Sequence, residues 1–154
     1  MSKILVIGYG NPLRADDGVG CHGARQIAHH LRGDDRVEVI PCHELEAESA
    51  RKVAAAEFVI FIDATHEGEP GSITETTVLP DAAFDGKFHH KMTPESLLAA
   101  AKALHGECPP ALQFHMTGWC FEIGEHMSAI VTERFKALVK KIEEKIREHE
   151  AVLA

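Results

Sequence analysis

The sequence has 154 residues, 45% hydrophobic and 26% charged, with a formal net charge of −8. This suits a single soluble domain with its own core, and the acidic balance argues against a non-specific nucleic-acid binder, which needs a basic face. No apolar run approaches the roughly 18 residues of a membrane span, and the first residues lack a signal-peptide core, which predicts a cytoplasmic address.

Residues 3–8, "KILVIG", form a continuous apolar run of the kind expected for a strand covered on both faces. Residues 18–32 carry Val19, Ala24, Ile27, Ala28 and Leu31 at approximately helical spacing. Residues 37–41 read as a second strand, alanine-rich 46–56 as a helix, and 58–62, "FVIFI", as a third buried strand that stops at Asp63. A turn-rich stretch leads to 72–79, rich in Thr, Val and Ile, which reads as an edge strand. Residues 81–91 lack a period and read as a loop. Thr93, Pro94 and Glu95 then open a helix running to about residue 104, with Thr as N-cap and Pro in the first turn. Residues 111–117 read as a strand, and 128–149 as a closing helix on the spacing of Phe135, Leu138, Val139, Ile142 and Ile146. This alternation predicts a single-domain three-layer α/β sandwich, with a mostly parallel sheet of about five strands and helices on both faces.

The loop "GYGNPLRADDGVG" begins like a dinucleotide turn but does not continue as one. Leu13 stands where the third glycine of G-x-G-x-x-G belongs, and Pro12 removes a backbone N–H. Asp16 and Asp17 would repel a pyrophosphate at the start of the helix, so no nucleotide is expected. One of the two aspartates is expected to cap that helix, leaving the other free.

In open α/β sheets ligands bind beyond the carboxyl ends of the strands. Asp17, after the first strand, and Asp63, at the end of the third, fall on that edge. His90, ahead of the next helix, is placed to reach it. Two carboxylates and an imidazole suit a divalent metal with open positions; the alternative reading makes Asp63 a turn cap. Cys42, His43 and Glu44 read mainly as surface and core, with extra metal ligation as a second reading. His29, His30, His105 and His149 lie in polar helical contexts and read as surface. Cys21, Cys42, Cys108 and Cys120 are scattered and read as reduced thiols. Cys21 and His22 diverge on a helix, so they form no nucleophile–base pair.

"GYGNPLRADDGVG" resembles the G-x-G-N-x-L-x-x-D-[DE]-G-x-G opening of the hydrogenase maturation endopeptidases, which trim the C-terminal tail of [NiFe] hydrogenase large subunits. "VIFIDA", "HHKMTPESLLAAA" and "MTGWCFEIGEHMS" resemble that family's later segments, in the family's order and over nearly the whole chain. The resemblance implies Asp17, Asp63 and His90 as metal ligands and catalytic residues, with His89 the nearest rival to His90 and Asp16 a possible partner or substitute for Asp17. It implies a nickel-dependent endopeptidase whose partner is a large-subunit precursor and whose nickel arrives in that client, although cadmium or zinc can occupy such a site. Two other classes stay open: a nickel checkpoint protein that does not cut, and a metallohydrolase holding its own zinc. "PCHELEAES" departs from the Gly-rich segment of several members, which leaves the choice of hydrogenase open.

Overall fold

The computed structural model describes residues 3–86 and 92–153. Five strands form one sheet: β1 (Ile4–Tyr9), β2 (Val37–Cys42), β3 (Phe58–Thr65), β4 (Ile73–Val78) and β5 (Ala111–Thr117), in the order β2-β1-β3-β5-β4. All neighbours are parallel except β4, which runs antiparallel to β5 at the edge. Among the described residues four α-helices cover the sheet: α1 (Val19–His30), α2 (Ala50–Ala55), α3 (Pro94–His105) and α4 (Ala129–Leu153).

The uniform hydrophobicity of the first and third strands has a simple cause. Ile4, Val6, Ile60 and Ile62 face one core, with Val19 and Ile27 of α1 and Leu138, Ile142 and Ile146 of α4. Leu5, Ile7, Val59 and Phe61 face the opposite core, with Val53 of α2 and Leu97 and Leu98 of α3. Alternate residues therefore enter opposite layers, and both must be apolar. Each such side chain, fully buried, contributes about 1.5–3 kcal/mol. The expected three-layer α/β sandwich is the observed one. β4 keeps its Thr and Glu side chains exposed, which suits an edge strand.

Most boundaries differ by a residue or two, and three differ in a way that has a physical cause. β3 continues past Asp63 to Thr65, pairing Asp63 with His115 and Thr65 with Thr117 on β5. The second predicted helix begins as a 3-10 turn at Ala47–Ser49, leaving only six residues for α2. α4 extends beyond the predicted end, to Leu153. α3 starts as expected: Thr93 Oγ1 accepts the Ser96 N–H at 3.0 Å while Ser96 Oγ accepts the Thr93 N–H at 2.7 Å, a reciprocal cap.

Glycine governs how α1 meets the sheet. A Cβ on Gly20 would strike the carbonyl oxygens of Ile62 and Tyr9, and one on Gly8 would strike the Gly20 carbonyl oxygen. These glycines allow backbone-to-backbone approach between helix and sheet, the same packing role the third glycine serves in a dinucleotide turn. Gly20→Ala should lower unfolding stability by about 3 kcal/mol in urea titrations, because the obstacle is backbone that cannot step aside. Stability like the wild type would mean that α1 has room to lift.

Candidate functional site

β1 ends in a tight turn. Gly10 has φ +139°, and a Cβ there would strike the Asp17 carbonyl oxygen. Asn11 Oδ1 accepts the Leu13 N–H at 2.9 Å, and the Asn11 N–H donates to Asp17 Oδ2 at 2.8 Å. The turn thus folds back on itself and holds the half-buried Asp17 carboxylate beside the end of β1. Ala15, a non-glycine residue at φ +50°, is held in place by its N–H bond to the Gly124 carbonyl at 2.8 Å.

Neither aspartate caps α1, contrary to expectation; its N-cap is Gly18, with no side-chain cap bond. Asp16 turns instead into the protein and is fully buried. Its Oδ2 accepts the N–H groups of Trp119 (2.8 Å) and Cys120 (3.0 Å) and the Ser128 hydroxyl (2.7 Å), while Oδ1 accepts the Ser128 N–H (2.7 Å). Burial alone would raise this carboxyl. The Cys120 N–H, the Ser128 hydroxyl and the Ser128 and Trp119 N–H groups outweigh burial and hold it below its ordinary value. Asp16 is therefore the anchor of the 118–128 segment and is spent on that task.

Asp63 lies near the end of β3 on the face covered by α2 and α3. Burial pushes its carboxyl up to about 7; the Ala64 N–H opposes the rise, the nearby Asp17 charge adds to it, and a hydrogen bond from Tyr9 opposes it. Asp63 Oδ1 accepts the Ala64 N–H at 2.8 Å. Asp17 and Asp63 line one cavity of about 200 Å³, together with Tyr9, Gly10, His43, Glu44, Leu45 and Met92. Wider hollows of about 430 and 540 Å³ lie against α1 and α4 and beside α3, and neither contains Asp17 or Asp63.

Two of the three predicted ligands thus share one pocket. His90, with its rival His89, lies outside the described residues; Met92, two positions later in sequence, lines the cavity. Among the described residues no group of three or more His, Cys, Asp and Glu side chains is placed to hold a metal. Two carboxylates close enough for one to raise the other suit a cation between them, and their oxygens suit a divalent ion. His43 and Glu44 are exposed on the wall of this cavity, so the segment that departs from the family pattern borders the site.

Sequence reading missed three side chains around Asp63. Tyr9 is joined to buried Gln113, whose Nε2 donates to the Tyr9 hydroxyl at 2.8 Å. His115 sits opposite Asp63 on β5, its pKa lowered by burial while Glu95 and Glu67 pull it the other way. A period-two reading of 111–117 would have put Gln113 and His115 on one face, and register with β3 supplies the rest. Burial raises the Cys21 thiol and pushes Cys42 up to about 11, which disfavours either as a thiolate nucleophile.

Neither a protein-family model nor a curated protein matches the sequence. Solved structures do match along most of their length. A [NiFe] hydrogenase maturation protease, HycI from Thermococcus kodakarensis, is 24% identical with a TM-score of 0.74, covering 93% of this chain and 91% of its own. The hydrogenase maturating endopeptidase HybD from E. coli is 22% identical with a TM-score of 0.72, covering 97% and 94%. The hydrogenase 2 maturation peptidase from a Thaumarchaeota archaeon is 20% identical with a TM-score of 0.68, covering 94% and 98%. The resemblance read from the loop motifs and the backbone of nearly the entire chain agree: this protein has the fold of the hydrogenase maturation peptidases.

Proposed function

We propose that the protein is a cytoplasmic endopeptidase of [NiFe] hydrogenase assembly, removing the C-terminal tail of a large-subunit precursor once nickel has been inserted. The observation that carries this reading is the meeting of Asp17, within the loop that bears the family-like motif, and Asp63 in one cavity at the carboxyl edge of the sheet. His90 is the third ligand in this reading, two residues before Met92 on the cavity wall. Nickel belongs to the client: bound among its cysteines, it is presented to Asp17, Asp63 and His90, so only a loaded precursor brings its scissile bond into register. Such an ion also supplies Lewis acidity for a carbonyl or a water. The protein's own part is to hold two fixed oxygens in a half-enclosed pocket. Among the described residues no helix is long and apolar enough to cross a membrane.

The test combines the purified protein with nickel-loaded and nickel-free precursor and follows the released tail by mass spectrometry. Release from the loaded form alone is expected. Binding without release would make the protein a checkpoint, and zinc isolated with it at one ion per chain would make it a self-contained metallohydrolase. Asp17→Ala and His90→Ala should each melt close to the wild type and slow release by about 100-fold or more, whereas His89→Ala should process normally.

A further inference from the structure

We infer that Leu13, Trp119 and Ile123 form an apolar ledge beside the Asp17 cavity, onto which the client precursor docks through an apolar patch next to its metal centre; this rests on the proposed function above. Among the described residues six large apolar side chains are exposed. Leu79, Leu104 and Val152 stand on separate elements, just after β4, at the end of α3 and at the end of α4. Leu13 (55% exposed), Trp119 (72%) and Ile123 (86%) instead belong to two segments bonded backbone to backbone. The Gly124 N–H donates to the Leu13 carbonyl at 2.8 Å, the Ala15 N–H to the Gly124 carbonyl at 2.8 Å, and the Asp16 N–H to the Cys120 carbonyl at 2.9 Å. Arg14 and Gly124 pair there as a parallel bridge.

The ledge is held firmly. Asp16 accepts the Trp119 and Cys120 N–H groups, and the Phe121 ring stacks on His66 with centroids 3.8 Å apart, while Trp119 and Ile123 on either side stay exposed. Gly118 has no room for a side chain, because a Cβ there would strike the Phe121 ring and the Asp16 Cβ. Apolar groups fixed in water do nothing for the isolated chain, and clustered on a surface they mark a contact site. The ledge is also in register with the cavity. Asn11 Oδ1 accepts the Leu13 N–H while the Asn11 N–H donates to Asp17 Oδ2, so one residue ties the ledge to the proposed ligand. Size and rim select the occupant. Three side chains offer on the order of a few hundred Å², well below the roughly 800 Å² per partner of a stable interface. The ledge therefore suffices as one point of a two-point contact, and on the proposed function the client's nickel at Asp17 and Asp63 is the other. A second copy of this chain brings no such second point. Exposed Glu122 and Glu125 outnumber Arg14 on the rim, which disfavours an anionic lipid surface and suits a protein patch with basic groups around it.

The test uses the full chain and nickel-loaded precursor, reading the Kd by biolayer interferometry and tail release by mass spectrometry, with melting curves alongside. Trp119→Ser and Ile123→Ser should each weaken precursor binding about 10-fold or more and melt close to the wild type, since both side chains already lie in water. Leu104→Ser, which removes exposed apolar surface at the end of α3, should bind as the wild type does. If the wild type does not bind the precursor, the proposed function falls and the ledge with it. If the wild type binds and both ledge variants match its Kd, the ledge alone falls. Binding that the two substitutions weaken, without tail release by the wild type, would sink the peptidase reading and keep the ledge. A concentration-dependent dimer in sedimentation that Ile123→Ser abolishes would assign the ledge to a second copy and overturn the inference. Pelleting with phosphatidylcholine–phosphatidylserine vesicles that Trp119→Ser abolishes would assign it to a membrane, with the same result.

Discussion

Asp63→Asn is expected to be harder to unfold than the wild type at neutral pH and unable to release the client's tail. The gain in stability has an electrostatic origin. Asp63 sits at the end of the most apolar strand, desolvated and facing the charge of Asp17, and its carboxyl is pushed up to about 7 from an ordinary 3.8. A carboxyl raised in the folded state favours folding while protonated. That contribution is complete below about pH 4, is lost as pH rises from there through about 7, and stays lost above. At pH 8 the ionised group should therefore cost on the order of 2–4 kcal/mol. Asparagine carries no charge and can still accept from the Ala64 N–H. Urea unfolding at pH 4 and pH 8 should show a variant that matches the wild type at the lower pH and exceeds it at the higher one. A variant weaker than the wild type at pH 8 would mean that the charged carboxylate is already compensated within the protein. On the proposed function, loss of processing follows separately, from removal of an anionic oxygen that the client's metal would meet.

A strand such as "FVIFI" announces burial on both faces, and its alternation with helical patterns leaves few architectures available. For that reason the layers, the edge position of β4 and the cap at Thr93 were all legible before any coordinates. The ends of elements were not. Whether β3 stops at Asp63 or runs to Thr65 depends on β5 being present to pair with it, a partner some 50 residues away in sequence. The weak second helix has the same kind of cause: "EAES" has helical composition but lies where the chain leaves β2, and it turns as 3-10 before α2 begins.

The cavity shared by Asp17 and Asp63 was legible as an edge and two carboxylates, since the chain must leave parallel strands at their carboxyl ends. Its supporting shell was not. Tyr9 and Gln113 stand 104 positions apart and meet only because β3 separates β1 from β5 in the sheet. Strand order of that kind is a tertiary property with no local signature. The division of labour between Asp16 and Asp17 was equally hidden. Adjacent identical residues look interchangeable in a sequence, yet the strained turn at Ala15 sends one inward and leaves the other on the cavity wall.

That division gives the second large effect. Asp16→Ala should lower stability by about 3–5 kcal/mol, or roughly 10 °C in melting temperature for a chain of this length. It removes the acceptor for three backbone N–H groups and one hydroxyl, all converging on a single carboxylate. Asp17→Ala, one residue away, gives up, among the described residues, only the bond from the Asn11 N–H and should melt within a few degrees of the wild type. Asp16→Asn should fall between them, because turning its carbonyl toward Trp119 and Cys120 points its NH₂ at the Ser128 N–H. The 118–128 segment carries Trp119, 72% exposed, and its tether is Asp16, so limited chymotrypsin digestion should cut there first in Asp16→Ala. The pH profile runs opposite to that of Asp63. Asp16 is held below its ordinary value in the fold, so its contribution is full above about pH 4 and is lost as pH falls toward its lower folded value. The gap between wild type and Asp16→Ala should accordingly narrow in acid. A gap that held constant down to pH 2 would show that packing around Asp16, rather than its charge, secures the segment.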